Sequence, residues 1–170
     1  AALTTVRGRS QHTHRPTLAT SRSPPPQESA TMVADGVVNC GLVASGACAG
    51  ALLRYGVHDV AKSRAAFGAL SGPAAICTLN VVGSLVLGAV AGAGASPRAS
   101  LLLGTGFCGA FTTFSTYSVD ALTMLQQRNY PALAAYVIGN NVLSIGGAAT
   151  GMRLGNAARS AVSLGRGRPP

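Results

Sequence analysis

GTGFCGAFTTFSTYSVD, residues Gly104 to Asp120, lies within an apolar segment yet carries Gly104, Gly106 and Gly109 and then the hydroxyls of Thr112, Thr113, Ser115, Thr116 and Ser118. Phe111, Phe114 and Tyr117 recur every three residues, so on a helix their rings project to roughly one side. Glycine and β-branched threonine form helices poorly in water, whereas glycine is common in membrane helices. A helix broken here, near Gly109, leaves backbone amides and carbonyls without partners. A membrane tolerates that only where the irregular backbone is buried in protein or lines an aqueous path. Phenyl rings and hydroxyls beside a Gly-Thr break therefore read as part of an ion pathway.

The flanking sequence supplies the membrane spans. Of 170 residues, 48% are hydrophobic and 10% are charged, against about 25% charged in a soluble domain. No Asp, Glu, Lys or Arg lies between Gly36 and Leu53, between Ala65 and Pro97, or between Tyr130 and Met152, and Asp120 stands alone between Ala99 and Gln127. Crossing a bilayer core of about 30 Å takes roughly 20 mainly apolar residues. The fold expected is all-α, an integral membrane protein with four transmembrane helices near Gly36–Val57, Leu70–Ala93, Ala99–Gln126 and Ala132–Met152, the third broken at its centre.

Residues 1–34 differ in kind, being rich in Ser, Thr, Pro and Arg, and are expected to be disordered and not needed for function. Their composition is compatible with an organellar transit segment, and equally with an over-long reading frame in which Met32 is the start. Residues 35–155 form the channel domain and 156–170 a basic disordered tail. His12 and His14 read as solvated. The net charge of +9 sits in the tails and at span ends, where Arg153, Arg159, Arg166 and Arg168 are placed to reach headgroups. Arg-Gly-Arg pairs without interleaved aromatics do not make a nucleic-acid tract. Cys40, Cys48, Cys77 and Cys108 fall inside apolar spans without C-x-x-C or zinc-like spacing, and read as small buried hydrophobes. No base–nucleophile pair is visible, so an enzyme is not expected.

Within the spans, polar residues share faces. Gly46 and Gly50 make a small-xxx-small pair for close helix approach. Asn80, Ser84, Gly88 and Gly92 recur every four residues, and so do Tyr136, Asn140 and Ser144, with Gly147, Gly151 and Gly155 extending the second stripe. A mid-membrane amide is costly without a partner, so Asn80 is either helix-helix glue or a pore-facing donor. Arg54, before Tyr55 and Gly56, reads on physics alone as a snorkelling interfacial arginine.

Gly106-Phe107-Cys108-Gly109 followed by Phe111-Thr112-Thr113-Phe114-Ser115-Thr116 resembles the third-helix signature of the CrcB-type (Fluc) fluoride channels, and Asn80-Val81-Val82-Gly83-Ser84 resembles their second-helix motif. The likeness covers roughly Leu42 to Met152. It implies a fluoride path through Asn80, Phe114, Tyr117, Ser115, Thr116, Tyr136, Asn140 and Ser144, with Arg54 near the vestibule. It also implies an antiparallel, dual-topology homodimer with two pores at its interface. A structural sodium ion would sit at that interface, held by the backbone carbonyls of Gly109 and Thr112. Four departures are visible: Ile76 replaces a usual threonine, Asn140 a serine, Tyr117 a phenylalanine and Asp120 a glutamate. Asp120 reads equally as a solvated acid near the end of the third span.

The chemistry fits a small, strongly hydrated anion. Amide and hydroxyl protons replace its water shell without a fixed charge that would trap it, and phenyl edges are the positive part of the ring quadrupole. Starting from Met32, one membrane face would hold Arg98, Arg153, Arg159, Arg166 and Arg168, and the other Lys62, Arg64 and Arg128, or four cations with Arg54 counted there. Such a small bias under the positive-inside rule permits insertion both ways. The expected function is passive fluoride export across the plasma membrane, or an organellar one if the leader is a transit segment. Two other readings stand beside it. A four-helix proton-coupled exporter would need a deep carboxylate, and the nearest, Asp120, is late in its span. A purely structural membrane protein would explain the glycines but not the Phe-Thr-Thr-Phe-Ser-Thr run.

Overall fold

The computed structural model describes residues 26–63 and 72–166, and every element among them is helical. They are α1 (Pro26–Ser63), α2 (Pro73–Gly92), α3 (Pro97–Ala99), a π-helical segment (Ser100–Cys108), α4 (Gly109–Phe111), α5 (Phe114–Gln126) and α6 (Tyr130–Arg166). Three stretches are long and apolar enough to cross a membrane: Met32–Val60, Pro73–Gly92 and Tyr130–Gly165. The fourth segment, from Pro97 to Gln126, is divided into short pieces.

Polarity is inverted relative to a water-soluble bundle. The buried apolar set is small: Ala75, Ile76, Leu79, Cys108, Phe111, Tyr117 and Tyr136. Leu52, Leu87, Val119, Leu122, Ile138, Val142 and Ile145 are among many large apolar side chains left exposed. Burying each would be worth about 1.5–3 kcal/mol in water, so the surrounding medium must be apolar. The chain is a multi-pass membrane protein.

Lipid offers helices no hydrophobic reason to associate, so close backbone packing has to hold them together. Two helix pairs do this with glycine. α1 lies along the π-helical segment and α4, and α2 packs most extensively along α6. A Cβ at Gly46 would run into the carbonyl of Leu102, and one at Gly106 into the carbonyl of Val43. Across the other pair, Gly88 and Gly92 face the carbonyls of Ala148 and Met152, while Gly151 and Gly155 face those of Leu85 and Ala89. Each helix thus presents bare backbone to its partner's carbonyls. The stripes predicted from sequence are this packing surface at their Gly88–Gly92 and Gly147–Gly155 ends.

Charges at the ends fix the relative directions. Arg98 meets Asp35 at 3.4 Å, both exposed, so α1 and the broken segment start on the same side. The Arg159 guanidinium lies beside Gly94 in the α2–α3 connection, which places the far end of α6 on that side as well. An exposed pair of this kind adds about 0–1 kcal/mol; its value here is topological.

Several boundaries depart from expectation. α1 begins at Pro26, inside the stretch set apart as a leader, and runs on to Ser63 through the expected connector. Proline is tolerated there because its missing N–H is one the first turn leaves unpaired anyway. α6 continues through residues 156–166, expected to be a disordered tail. The rest of the leader, residues 1–25, and positions 64–71 and 167–170 lie outside the described residues. The interruption of the third segment falls at Thr112–Thr113, not near Gly109, whose backbone is helical (φ −61°, ψ −36°).

The α5–α6 turn carries a testable strain. Arg128 has φ 57°, its N–H donates to Leu125 O and the Asn129 N–H to Met124 O, both at 3.0 Å. This is a helix-ending motif that favours glycine. A left-handed conformation costs an ordinary residue roughly 1–2 kcal/mol. Arg128→Gly is therefore expected to raise stability by about 1 kcal/mol, read as a higher midpoint of thermal unfolding in detergent.

Candidate functional site

The broken segment is held open by side chains from elsewhere. Thr112 adopts φ −80°, ψ 160° and Thr113 φ −146°, ψ 114°, so neither continues the helix. The Thr113 N–H donates to Asn80 Oδ1 at 2.9 Å, and Asn80 Nδ2 donates back to the Thr113 carbonyl at 3.4 Å. One primary amide thereby satisfies both backbone groups of the residue at the break, much as a neighbouring strand would. Thr113 Oγ1 accepts from the Thr116 N–H at 3.2 Å and caps α5, and it also bonds Thr116 Oγ1 at 3.0 Å and Ser115 Oγ at 3.3 Å.

This exchange releases two carbonyls. In an α-helix the Gly109 carbonyl would receive the Thr113 N–H, and the Thr112 carbonyl the Thr116 N–H. Both donors are diverted to side-chain oxygens, those of Asn80 and Thr113. Gly109 O and Thr112 O are therefore left without their helical donors, as hard oxygen ligands would have to be.

An open cleft of about 310 Å³ lies against the break. Asn80, Phe114, Tyr117, Asn140 and Ser144 line it, together with Gly109 and Thr112. Ser84, Thr113, Cys108 and Asn141 are also on its wall. No charged side chain is. Asn80 Nδ2 reaches Asn140 Oδ1 at 3.4 Å, so the amide of Asn80 is both inter-helix glue and part of the cleft wall. Ser144 Oγ is buried with no hydrogen-bond partner among the described residues. Phe114 is 78% exposed, with its ring centroid 5.5 Å from that of Tyr117.

Other predicted residues lie elsewhere. Ser115 and Thr116 belong to the hydroxyl cluster around Thr113. Tyr136 is buried and donates its phenol proton to Asp120 Oδ2 at 3.2 Å, joining two residues that the sequence offered separately. Arg54 is half-buried near the end of α1, off the cleft, with no hydrogen bond or ion pair among the described residues. Ile76, the replacement for threonine, packs in the core with Leu79, Phe111, Tyr117 and Tyr136. Thr78 bonds its own helix at Ala74 O and supplies no substitute hydroxyl.

Thr113 and Asn141 were missed as site residues. Thr113 was visible in the hydroxyl run, but its role depends on Asn80. Asn141 was visible only as an amide beside Asn140.

Comparison with known proteins finds relatives that match the same part of the chain. The family described as "CrcB-like protein, Camphor Resistance (CrcB)" matches residues 41–152, the part of the chain that carries the cleft. A protein of Listeria monocytogenes named fluoride-specific ion channel FluC 1 is 38% identical over 119 residues, covering 70% of this chain and 98% of the relative. FluC 2 of Bacillus cereus, with the same descriptive name, is 37% identical over 114 residues, 67% of this chain and 94% of the relative. FluC 1 of Leifsonia xyli subsp. xyli is 41% identical over 113 residues, 64% of this chain and 80% of the relative.

Proposed function

The chain belongs to the CrcB family, and from that premise we propose that it is a fluoride-selective channel that lets the ion leave the cell passively across the plasma membrane. The observation that carries this reading is the composition of the cleft: amides, hydroxyls and aromatic rings beside a helix break, and no charged side chain on the wall. Such a wall offers a small hard anion donors in place of water while leaving it free to depart. The relatives named above are fluoride-specific ion channels, which supports the same assignment.

The cleft is open on one side and Phe114 is exposed beside it. A second, antiparallel copy would close it, giving two paths at the interface between protomers. Counted from Met32, five cations on one membrane face stand against three or four on the other, a bias small enough to permit insertion in both orientations; the arginines before Met32 tilt it toward one. At that interface the released carbonyls of Gly109 and Thr112 would hold a structural sodium ion. Its charge would lower the electrostatic cost of an anion nearby.

The exporter reading finds less support. Its carboxylate would have to meet substrate, whereas Asp120 is off the cleft and engaged by Tyr136.

Phe114→Ile tests the path. The variant keeps apolar bulk but removes the ring edge at an exposed position, so folding and assembly should survive. Fluoride efflux from proteoliposomes, followed with a fluoride electrode, is expected to fall by about tenfold, equivalent to about 1.4 kcal/mol at the barrier. Wild-type efflux from a folded variant would remove Phe114 from the path.

A further inference from the structure

Tyr117 stands where a ring alone would serve the path, and its hydroxyl has a specific setting. The ring is buried between Phe114, at a centroid distance of 5.5 Å, and Tyr136, at 5.2 Å. Asn141 Nδ2 donates to the Val137 carbonyl at 2.7 Å and to Tyr117 Oη at 3.3 Å. The bond to Val137 fixes the amide's orientation, because only the nitrogen end can donate to a carbonyl. Both protons of Nδ2 are then committed, and the phenol oxygen is the acceptor of one. The phenol's own proton cannot return to Nδ2 and has no acceptor among the described residues. Tyr117 and Asn141 both line the cleft, as does the unpartnered Ser144 Oγ.

We propose that the Tyr117 hydroxyl is a direct hydrogen-bond donor to the anion in the cleft, and that Asn141 is the positioning residue that turns its O–H there. The ligand is a small hard halide. This rests on the channel reading above and adds to it: the path of this chain gains a phenol O–H where a ring edge alone would otherwise face the ion, and a residue outside the expected path sets its direction.

The test compares wild type, Tyr117→Phe, Asn141→Leu and the double variant as full-length protein in liposomes, with protein-free vesicles subtracted. Tyr117→Phe is expected to lower fluoride efflux by about fivefold, the scale of one hydrogen bond. Asn141→Leu should lower it by about threefold, and the double variant should equal Tyr117→Phe, because Asn141 acts only through the phenol. A second readout does not depend on variant flux. In wild type, fluoride but not chloride should shift the phenol C–O infrared band that is absent from Tyr117→Phe, and a purely structural hydroxyl would show no such response. Efflux from Tyr117→Phe at the wild-type rate, additive losses in the double variant, or an infrared band indifferent to fluoride would each overturn the assignment. If wild-type protein itself passes no fluoride, the channel reading falls and takes this assignment with it.

Discussion

Asn80→Asp is expected to lower fluoride efflux by at least about tenfold, with the protein still folded. The substitution is nearly isosteric, and one carboxylate oxygen can still accept the Thr113 N–H. The other replaces Nδ2, which lies 3.4 Å from the Thr113 carbonyl and 3.4 Å from Asn140 Oδ1. The bond donated to the Thr113 carbonyl becomes an oxygen–oxygen contact, and Asn140 has to turn its amide over to avoid a second. Stranding the Thr113 carbonyl alone costs about 1–3 kcal/mol. A fixed negative charge also enters a wall that has none, and at about 4 Å and an effective dielectric of about 20 it repels an anion by about 4 kcal/mol. Both effects raise the barrier. Lowering the pH protonates the introduced carboxyl, removes the charge and restores one donor, so part of the lost flux should return on acidification after protein-free vesicles are subtracted. Undiminished efflux at neutral pH would mean that Asn80 neither shapes the break nor borders the path.

Gly151→Val is expected to lower the melting temperature in detergent by about 10 °C, corresponding to about 3 kcal/mol of overpacking. A Cβ at this position would overlap the Leu85 carbonyl oxygen and lie 2.9 Å from Ala89 N and from the Leu85 carbonyl carbon. All three are backbone atoms of α2, so no side-chain rotation relieves the clash. The helices must separate, and Gly88, Gly92 and Gly155 lose their close contacts with them. Gly146 is the control on the same helix, since a Cβ there meets nothing within 4 Å. Gly146→Ala should leave the melting temperature unchanged or raise it, because glycine weakens a helix interior by about 0.5–1 kcal/mol relative to alanine. Equal melting of Gly151→Val and wild type would show that α2 and α6 are not held by glycine–carbonyl packing.

Much of the scaffold was legible because its signals are local. Charge-free intervals mark spans directly, and glycines at four-residue spacing mark where two helices can touch. The Phe-Thr-Thr-Phe-Ser-Thr run marked an interruption, but its position was not local information. The glycines drew the expected break to Gly109, whereas what stops the helix is the capture of the Thr113 N–H by Asn80, 33 residues earlier. The wider turns of Ser100–Cys108 were equally out of reach, because glycine content does not say which hydrogen-bond ladder a helix adopts.

Cross-helix pairs account for the rest. Tyr136 with Asp120, Tyr117 with Asn141 and Asn80 with Asn140 could each be noticed as polar residues on an apolar face. Which partner each would take depends on helix rotation. The ends of α1 and α6 were hidden for a different reason: their apolar patterns stop before their helices do.

Efflux of fluoride and of chloride from liposomes holding the purified full-length protein, measured side by side, addresses the central claim most directly. Neutral donors and aromatic rings around one cleft predict rapid fluoride loss and chloride retained at the level of empty vesicles. Chloride leaving as fast as fluoride, or neither ion leaving, would contradict it.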